Sequence, residues 1–179
     1  IVNHHLLCAD AAVRQGGHGE VIPDYSFAVI DEAHQLEDVA TQYFGISVSN
    51  FRIEDLILDG LRLLEAGMPL DPVATDTVRA ALECVRDGAR AFFTAVVTEK
   101  RDSKFEHGKV RSRIDAATLE SVAGLGRALL DALSLLKSEL GLLTDPPEDF
   151  RALGRRVHEV QHELRFTLQA SDPAYVFFL

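Results

Sequence analysis

The chain has 179 residues, of which 47% are hydrophobic and 26% charged, and a formal net charge of -10. That size and apolar content can bury one sizeable core and exclude a disordered chain, while the acidic balance excludes a surface that coats nucleic acid through clustered Lys and Arg. The sequence contains no uncharged apolar run of about eighteen residues and its first residues lack the charged start of a signal peptide, so no membrane partner and a cytoplasmic location are expected.

The chain opens on Ile1-Val2-Asn3-His4-His5-Leu6-Leu7, read as mid-strand passing into a strand-to-helix junction, and runs to a glycine turn at Gly16-Gly17-His18-Gly19. The turn lacks the lysine and hydroxyl of a phosphate loop, and the string G-x-x-x-x-G-K-[ST] occurs nowhere. After Pro23-Asp24 comes the continuous apolar run Phe27-Ala28-Val29-Ile30, the pattern of a strand buried on both faces of a parallel sheet. Asp31-Glu32-Ala33-His34 follows directly. Ligands of such sheets bind at the carboxyl ends of the strands, where Asp31 can hold magnesium through a water and Glu32 can polarise the water that attacks a γ-phosphate. His34, one turn on, can link a nucleotide site to a neighbouring domain. The competing reading of an Asp-Glu pair is a solvated helix start.

The segment Ile1 to Leu7, together with Leu36-Glu37-Asp38-Val39-Ala40-Thr41 after the Asp-Glu-Ala-His string, resembles the DinG/YoaA branch of the XPD-like iron–sulfur DNA helicases. The motif-bearing part covers about the first 45 residues. The resemblance implies ATP and magnesium as cofactors, Asp31 as the magnesium residue, Glu32 as the catalytic carboxylate and His34 as the coupler of hydrolysis to strand movement. It also implies unwinding with 5′→3′ polarity in DNA repair or replication and single-stranded DNA as partner, whereas a docked replication or repair protein belongs to the rival reading of the helical part as an interaction module. Asn3, His4 and His5 match the family's string without an assigned chemistry. The domain organisation implied is 1–48 as part of a RecA-like motor, 49–170 as the helical insertion called the arch, and 171–179, ending Tyr175-Val176-Phe177-Phe178-Leu179, as a strand returning to the motor.

An iron–sulfur cluster of the family's type takes four thiolates, and the chain has Cys8 and Cys84 alone. The resemblance places the cluster cysteines upstream of the Asn-His-His string, so a cluster, where a parent protein has one, is not ligated by this chain. Cys8 and Cys84 read as buried thiols in a reducing compartment. The expectation is therefore an excised piece of a larger helicase that does not turn over ATP alone. Its fold class is mostly α: an antiparallel helical bundle attached to a small remnant of a parallel α/β ATPase sheet.

Gly45 closes a helix over Leu36 to Phe44, and Ser49 or Asn50 caps the next, with the stripe Ile53, Ile57, Leu61 and Leu64 ending at Gly67. Asp71-Pro72 starts a helix that buries Val78, Leu82, Val85, Ala89, Phe92 and Val96. A third, capped near Asp115, carries Leu119, Val122, Gly126, Leu129, Leu133, Leu136, Leu140 and Leu143, with Gly126 allowing close helix approach. A fourth starts at Asp145, Pro146 and Glu148 in the manner of a capping box and carries Phe150, Leu153, Val157, Val160, Leu164 and Leu168. Such seams joined by short polar connections pack as an antiparallel bundle. His158 and His162 flank the fourth stripe rather than point inward, which leaves no Glu-x-x-His pair for a metal in the bundle. The histidines His4, His5, His18 and His34 show no structural zinc spacing.

Lys100, Arg101, Lys104, Lys109, Arg111 and Arg113 form one basic stretch in the acidic chain, with Phe105, Val110 and Ile114 as anchors of a short hairpin. It reads either as a solvated loop that balances the acidic helices or as a DNA contact. The resemblance puts the arch over a pore for single-stranded DNA, and with it Lys104, Lys109, Arg111 and Arg113. The rival reading of the whole chain is a non-catalytic helical interaction module, whose mark would be apolar residues such as Leu130 or Leu135 on outer faces of the bundle.

Overall fold

In the computed structural model, which describes residues 1–17, 19–66, 71–102 and 116–170, helices carry the fold. They are α1 (His4–Gln15), α2 (Leu36–Phe44), α3 (Asn50–Glu65), α4 (Pro72–Asp102), α5 (Ala116–Gly141) and α6 (Glu148–Gln169), with one 3-10 turn at Ala33–Gln35. The chain divides into two compact units, Ile1–Ser47 and Val48–Leu179.

In the second unit α3 packs on α4 and α6, and α5 on α4 and α6, which closes a four-helix bundle. The pairings fix its direction. Glu54 of α3 faces Arg86 of α4 while Gly60 faces Leu82, so the two helices run oppositely. Arg52 and Asp59 of α3 pair with Glu163 and Arg156 of α6, and Ser134 and Lys137 of α5 with Gln161 and His158 of α6, again in opposite order. Hence α3 and α5 point one way, α4 and α6 the other, and the bundle is antiparallel throughout.

The core is the set of seams that helical periodicity places inward. Ile53, Ile57, Val78, Leu82, Val85, Leu129, Leu133, Leu136 and Val157 are all fully buried. Two glycines set the spacing between helices. A methyl group on Gly60 would lie 2.9 Å from Leu82 and 3.3 Å from Leu153, and one on Gly126 would lie 2.7 Å from Leu168. The Gly126 expectation is met, and Gly60 is a second close approach. Leu61 and Leu168 sit partly buried against the core rather than in it, and Leu56 takes an inward position instead.

The helix starts follow backbone chemistry. Ser49 Oγ accepts the Arg52 N–H at 3.2 Å, and Asp71 Oδ2 accepts the Ala74 N–H at 3.3 Å ahead of Pro72. The capping box expected at Asp145 does not form. Pro147 occupies the cap position with no side-chain bond, because Asp145 takes a left-handed φ of 47° and turns to Arg151 at 3.1 Å. Glu148 and Asp149, in the first turn of α6, supply the negative charge that its N-terminus favours. Cys84 is exposed, a correction to the buried thiol expected there; two residues past Leu82 lies about 200° round the helix, on the outer face. Cys8 is buried. Gly67, Asp115, the basic residues Lys104, Lys109, Arg111 and Arg113, and the run 171–179 lie outside the described residues.

The first unit consists of α1 and α2 packed together with the intervening chain. Its buried apolar side chains are Cys8 and Val39. The helix α2 ends at Phe44, and Gly45 donates to the Thr41 carbonyl at 2.9 Å. A Cβ there would fall 2.2 Å from that same oxygen, so the position requires glycine through close approach, its φ of -76° being ordinary. The expected remnant of a parallel sheet is absent from the described residues. Residues 27–30 take no regular structure, and Phe27 and Val29 are 92% and 100% exposed. A strand exists only through the ladder it forms with a neighbour, and no described residue supplies one.

Candidate nucleotide site

The residues Asp31 to His34 lie where the apolar run meets the 3-10 turn, and helix α1 holds the chain leading to them. Asn3 Oδ1 accepts the Leu6 N–H at 2.8 Å, which caps α1. One residue on, His4 Nε2 lies 2.9 Å from the carbonyl oxygen of Asp31. His5 sets its ring edge against Tyr43 of α2, with centroids 6.0 Å apart. The three residues without assigned chemistry in the sequence thus act as a cap, a tie to the acidic string, and a packing contact between α1 and α2.

A second tie forms six residues further along α1. Asp10, 1% exposed, accepts the N–H groups of Val21 and Ile22 on one oxygen at 2.7 and 2.8 Å and Arg14 Nε on the other at 2.8 Å. Arg14 also donates to the Ile22 carbonyl and to Asp24, the latter at 2.9 Å, and faces Glu20 at 3.3 Å. The Ile22 amide foremost, then those of Val21 and the Arg14 guanidinium, hold the Asp10 carboxyl below the usual aspartate range against the cost of burial. Sequence reading passed over this pair. Its signal was an acid and an arginine four apart on a helix, next to a glycine turn.

At the site itself Asp31 Oδ1 accepts the Glu32 N–H at 3.0 Å. Glu32 has left-handed φ and ψ of 47° and 44°, an uncommon conformation for a residue with a side chain. His34 Nδ1 lies 3.3 Å from a Glu32 carboxylate oxygen. Asp31, Glu32 and His34 are thus brought together, and all three are exposed. Beside them opens a cleft of about 670 Å³ lined by, among others, Asn3, His4, Tyr25, Val29, Asp31 and Glu32.

The donor set suits magnesium. Asp31 Oδ2 has no hydrogen-bond partner among the described residues, and hard carboxylate oxygens are magnesium's ligands. No three metal-ligating side chains cluster among the described residues, so a cage made by protein alone is not formed there; magnesium uses one or two carboxylates together with waters and substrate phosphates. No described helix is long and apolar enough to cross a membrane.

Comparison with known proteins relates a third of this chain to ATP-dependent DNA helicases. Over 59 residues, 33% of the chain, it is 51% identical to the ATP-dependent DNA helicase YoaA of Escherichia coli, and to the same extent to YoaA of Haemophilus influenzae. The matched stretch spans 9% of the length of each of these relatives. No family model matches the chain, and no solved structure matches it.

Proposed function

We propose that this chain is the part of an ATP-dependent DNA helicase that carries its two hydrolytic carboxylates and the helical insertion behind them. One observation supports this above the rest: the stretch at 51% identity to YoaA helicases belongs to a chain in which Asp31 and Glu32 stand side by side at the mouth of a cleft. Magnesium bound with ATP would neutralise charge on the phosphate oxygens. Asp31, with its free oxygen, would hold that ion. Glu32 accepts a hydrogen bond from the attacking water and orients it, and His34, within reach of the Glu32 carboxylate, passes the state of the site to the neighbouring motor domain. The exposed apolar residues Val21, Phe27, Val29 and Ile30 are the surface that further strands of the motor sheet would cover. Within that sheet, residues 27–30 would gain the ladder they lack here.

The antiparallel bundle fits an arch that guides single-stranded DNA in a repair or replication helicase, with Lys104, Lys109, Arg111 and Arg113 as the strand contact. An iron–sulfur cluster, where the parent protein has one, takes its thiolates from elsewhere. The interaction-module reading finds part of its mark: Leu135 is 45% exposed, whereas Leu130 packs partly against the core. In the complete gene product, Glu32→Gln should lower DNA-stimulated ATP turnover by about 100-fold or more while ATP still binds. Unchanged turnover would refute the proposal in favour of the interaction module.

A further inference from the structure

We infer that His4 is a positioning residue for the two carboxylates, acting through the peptide bond that joins Asp31 to Glu32. The inference rests on the hydrolytic reading of that pair. A peptide unit is planar and trans, so its carbonyl and its N–H point in opposite directions. Here both ends are held. The carbonyl oxygen of Asp31 meets His4 Nε2 at 2.9 Å, and the N–H of Glu32 is taken by Asp31 Oδ1 at 3.0 Å.

Two consequences follow from that plane being fixed. The Asp31 carboxylate is anchored through one oxygen, which leaves the other directed away from the N–H it binds. The Glu32 backbone is held at a φ of 47°, a left-handed conformation that a residue with a side chain leaves when nothing fixes it. His4 is itself fixed, since it is the first residue of α1 and follows the Asn3 cap. The same helix grips the other end of the incoming chain through Asp10 and the amides of Val21 and Ile22. Residues 23–30 are therefore suspended between two ties to one rigid helix, and the His4 tie is the one that orients the acids. A carbonyl oxygen only accepts, so His4 must carry its proton on Nε2.

The test uses the complete gene product. Substitution of His4 by alanine should lower kcat for ATP about tenfold or more with KM for ATP within about twofold, because orientation and not nucleotide binding is lost. His4→Gln, whose amide nitrogen reaches the place of Nε2, should restore most of the rate. A readout independent of turnover is the ring nitrogen spectrum of histidine-labelled protein without nucleotide. The signal removed by His4→Gln should be that of an Nε2-protonated ring. A His4 ring protonated on Nδ1 alone overturns the inference, and so does wild-type kcat in His4→Ala when Glu32→Gln is inactive. Loss in both His4 variants with a lowered melting temperature also overturns it, since His4 would then serve folding alone. Full activity in Glu32→Gln removes the hydrolytic reading itself, and this inference with it.

Discussion

Asp10 and Arg14, one turn apart on α1, join at 2.8 Å and between them bind Val21, Ile22 and Asp24, so a single side-chain pair sets the start of the path to Asp31. Removing Asp10 takes the acceptor from the Val21 and Ile22 amides and from the Arg14 Nε–H, while Arg14 keeps Asp24 and the Ile22 carbonyl. In Asp10→Ala the Val21 and Ile22 amides should exchange about tenfold faster, the ratio that one ordinary hydrogen bond represents. The carboxyl is held below its usual range, so its stabilising contribution is complete above about pH 4 and is lost as pH falls through the lowered value. Amide exchange, corrected for intrinsic rates, should therefore show the protection intact at about pH 5 and failing only below the ordinary aspartate range. Protection unchanged in Asp10→Ala would show that the loop is held by something else.

Gly60 and Gly126 face different neighbours and should respond differently to alanine. Both changes gain helix propensity of about 1 kcal/mol. At Gly60 the new methyl meets Leu82 and Leu153, both fully buried, and the cost of overpacking, about 1–3 kcal/mol, exceeds the gain. At Gly126 it meets the end of Leu168, which is only partly buried and can turn aside. Thermal or urea unfolding should find Gly60→Ala destabilised by about 1 kcal/mol and Gly126→Ala within about 0.5 kcal/mol of the parent. Equal effects would contradict this account of the packing.

Helical parts of the chain were legible where the pattern is local. The Leu36 to Phe44 helix, the Asp71-Pro72 start and the inward residues Val78 through Val96 follow from caps and a spacing of three and four, which the backbone obeys without outside help. Features that depend on a distant partner were not legible. The Phe27 to Ile30 run has strand composition, yet composition cannot provide the neighbouring strand. Gly60 reads as a helix weakener until Leu82 is placed against it. The start of α6 departs from the capping-box pattern because Asp145 meets Arg151 across the turn. Around the acidic string, the Asp-Glu pair was visible as chemistry, whereas the roles of Asn3, His4, Asp10 and Arg14 came from contacts spanning up to 27 positions.

The basic stretch offers a test of the arch. Changing Lys109, Arg111 and Arg113 to Glu in the complete gene product should weaken single-stranded DNA binding and flatten its dependence on salt, since each lost phosphate contact removes about 0.7 from the slope. Filter binding or anisotropy across a salt series measures both. An unchanged affinity and slope would return the stretch to a solvated loop.

The most direct measurement of the central claim, that Asp31 and Glu32 divide the work of hydrolysis, is a magnesium titration of DNA-stimulated ATP turnover in the complete gene product. Asp31→Asn should raise the magnesium concentration needed for half-maximal rate by about tenfold or more, while Glu32→Gln should leave that concentration unchanged and lower the plateau by about 100-fold. A Glu32→Gln plateau at the parental level, or the same shift in both variants, would contradict it.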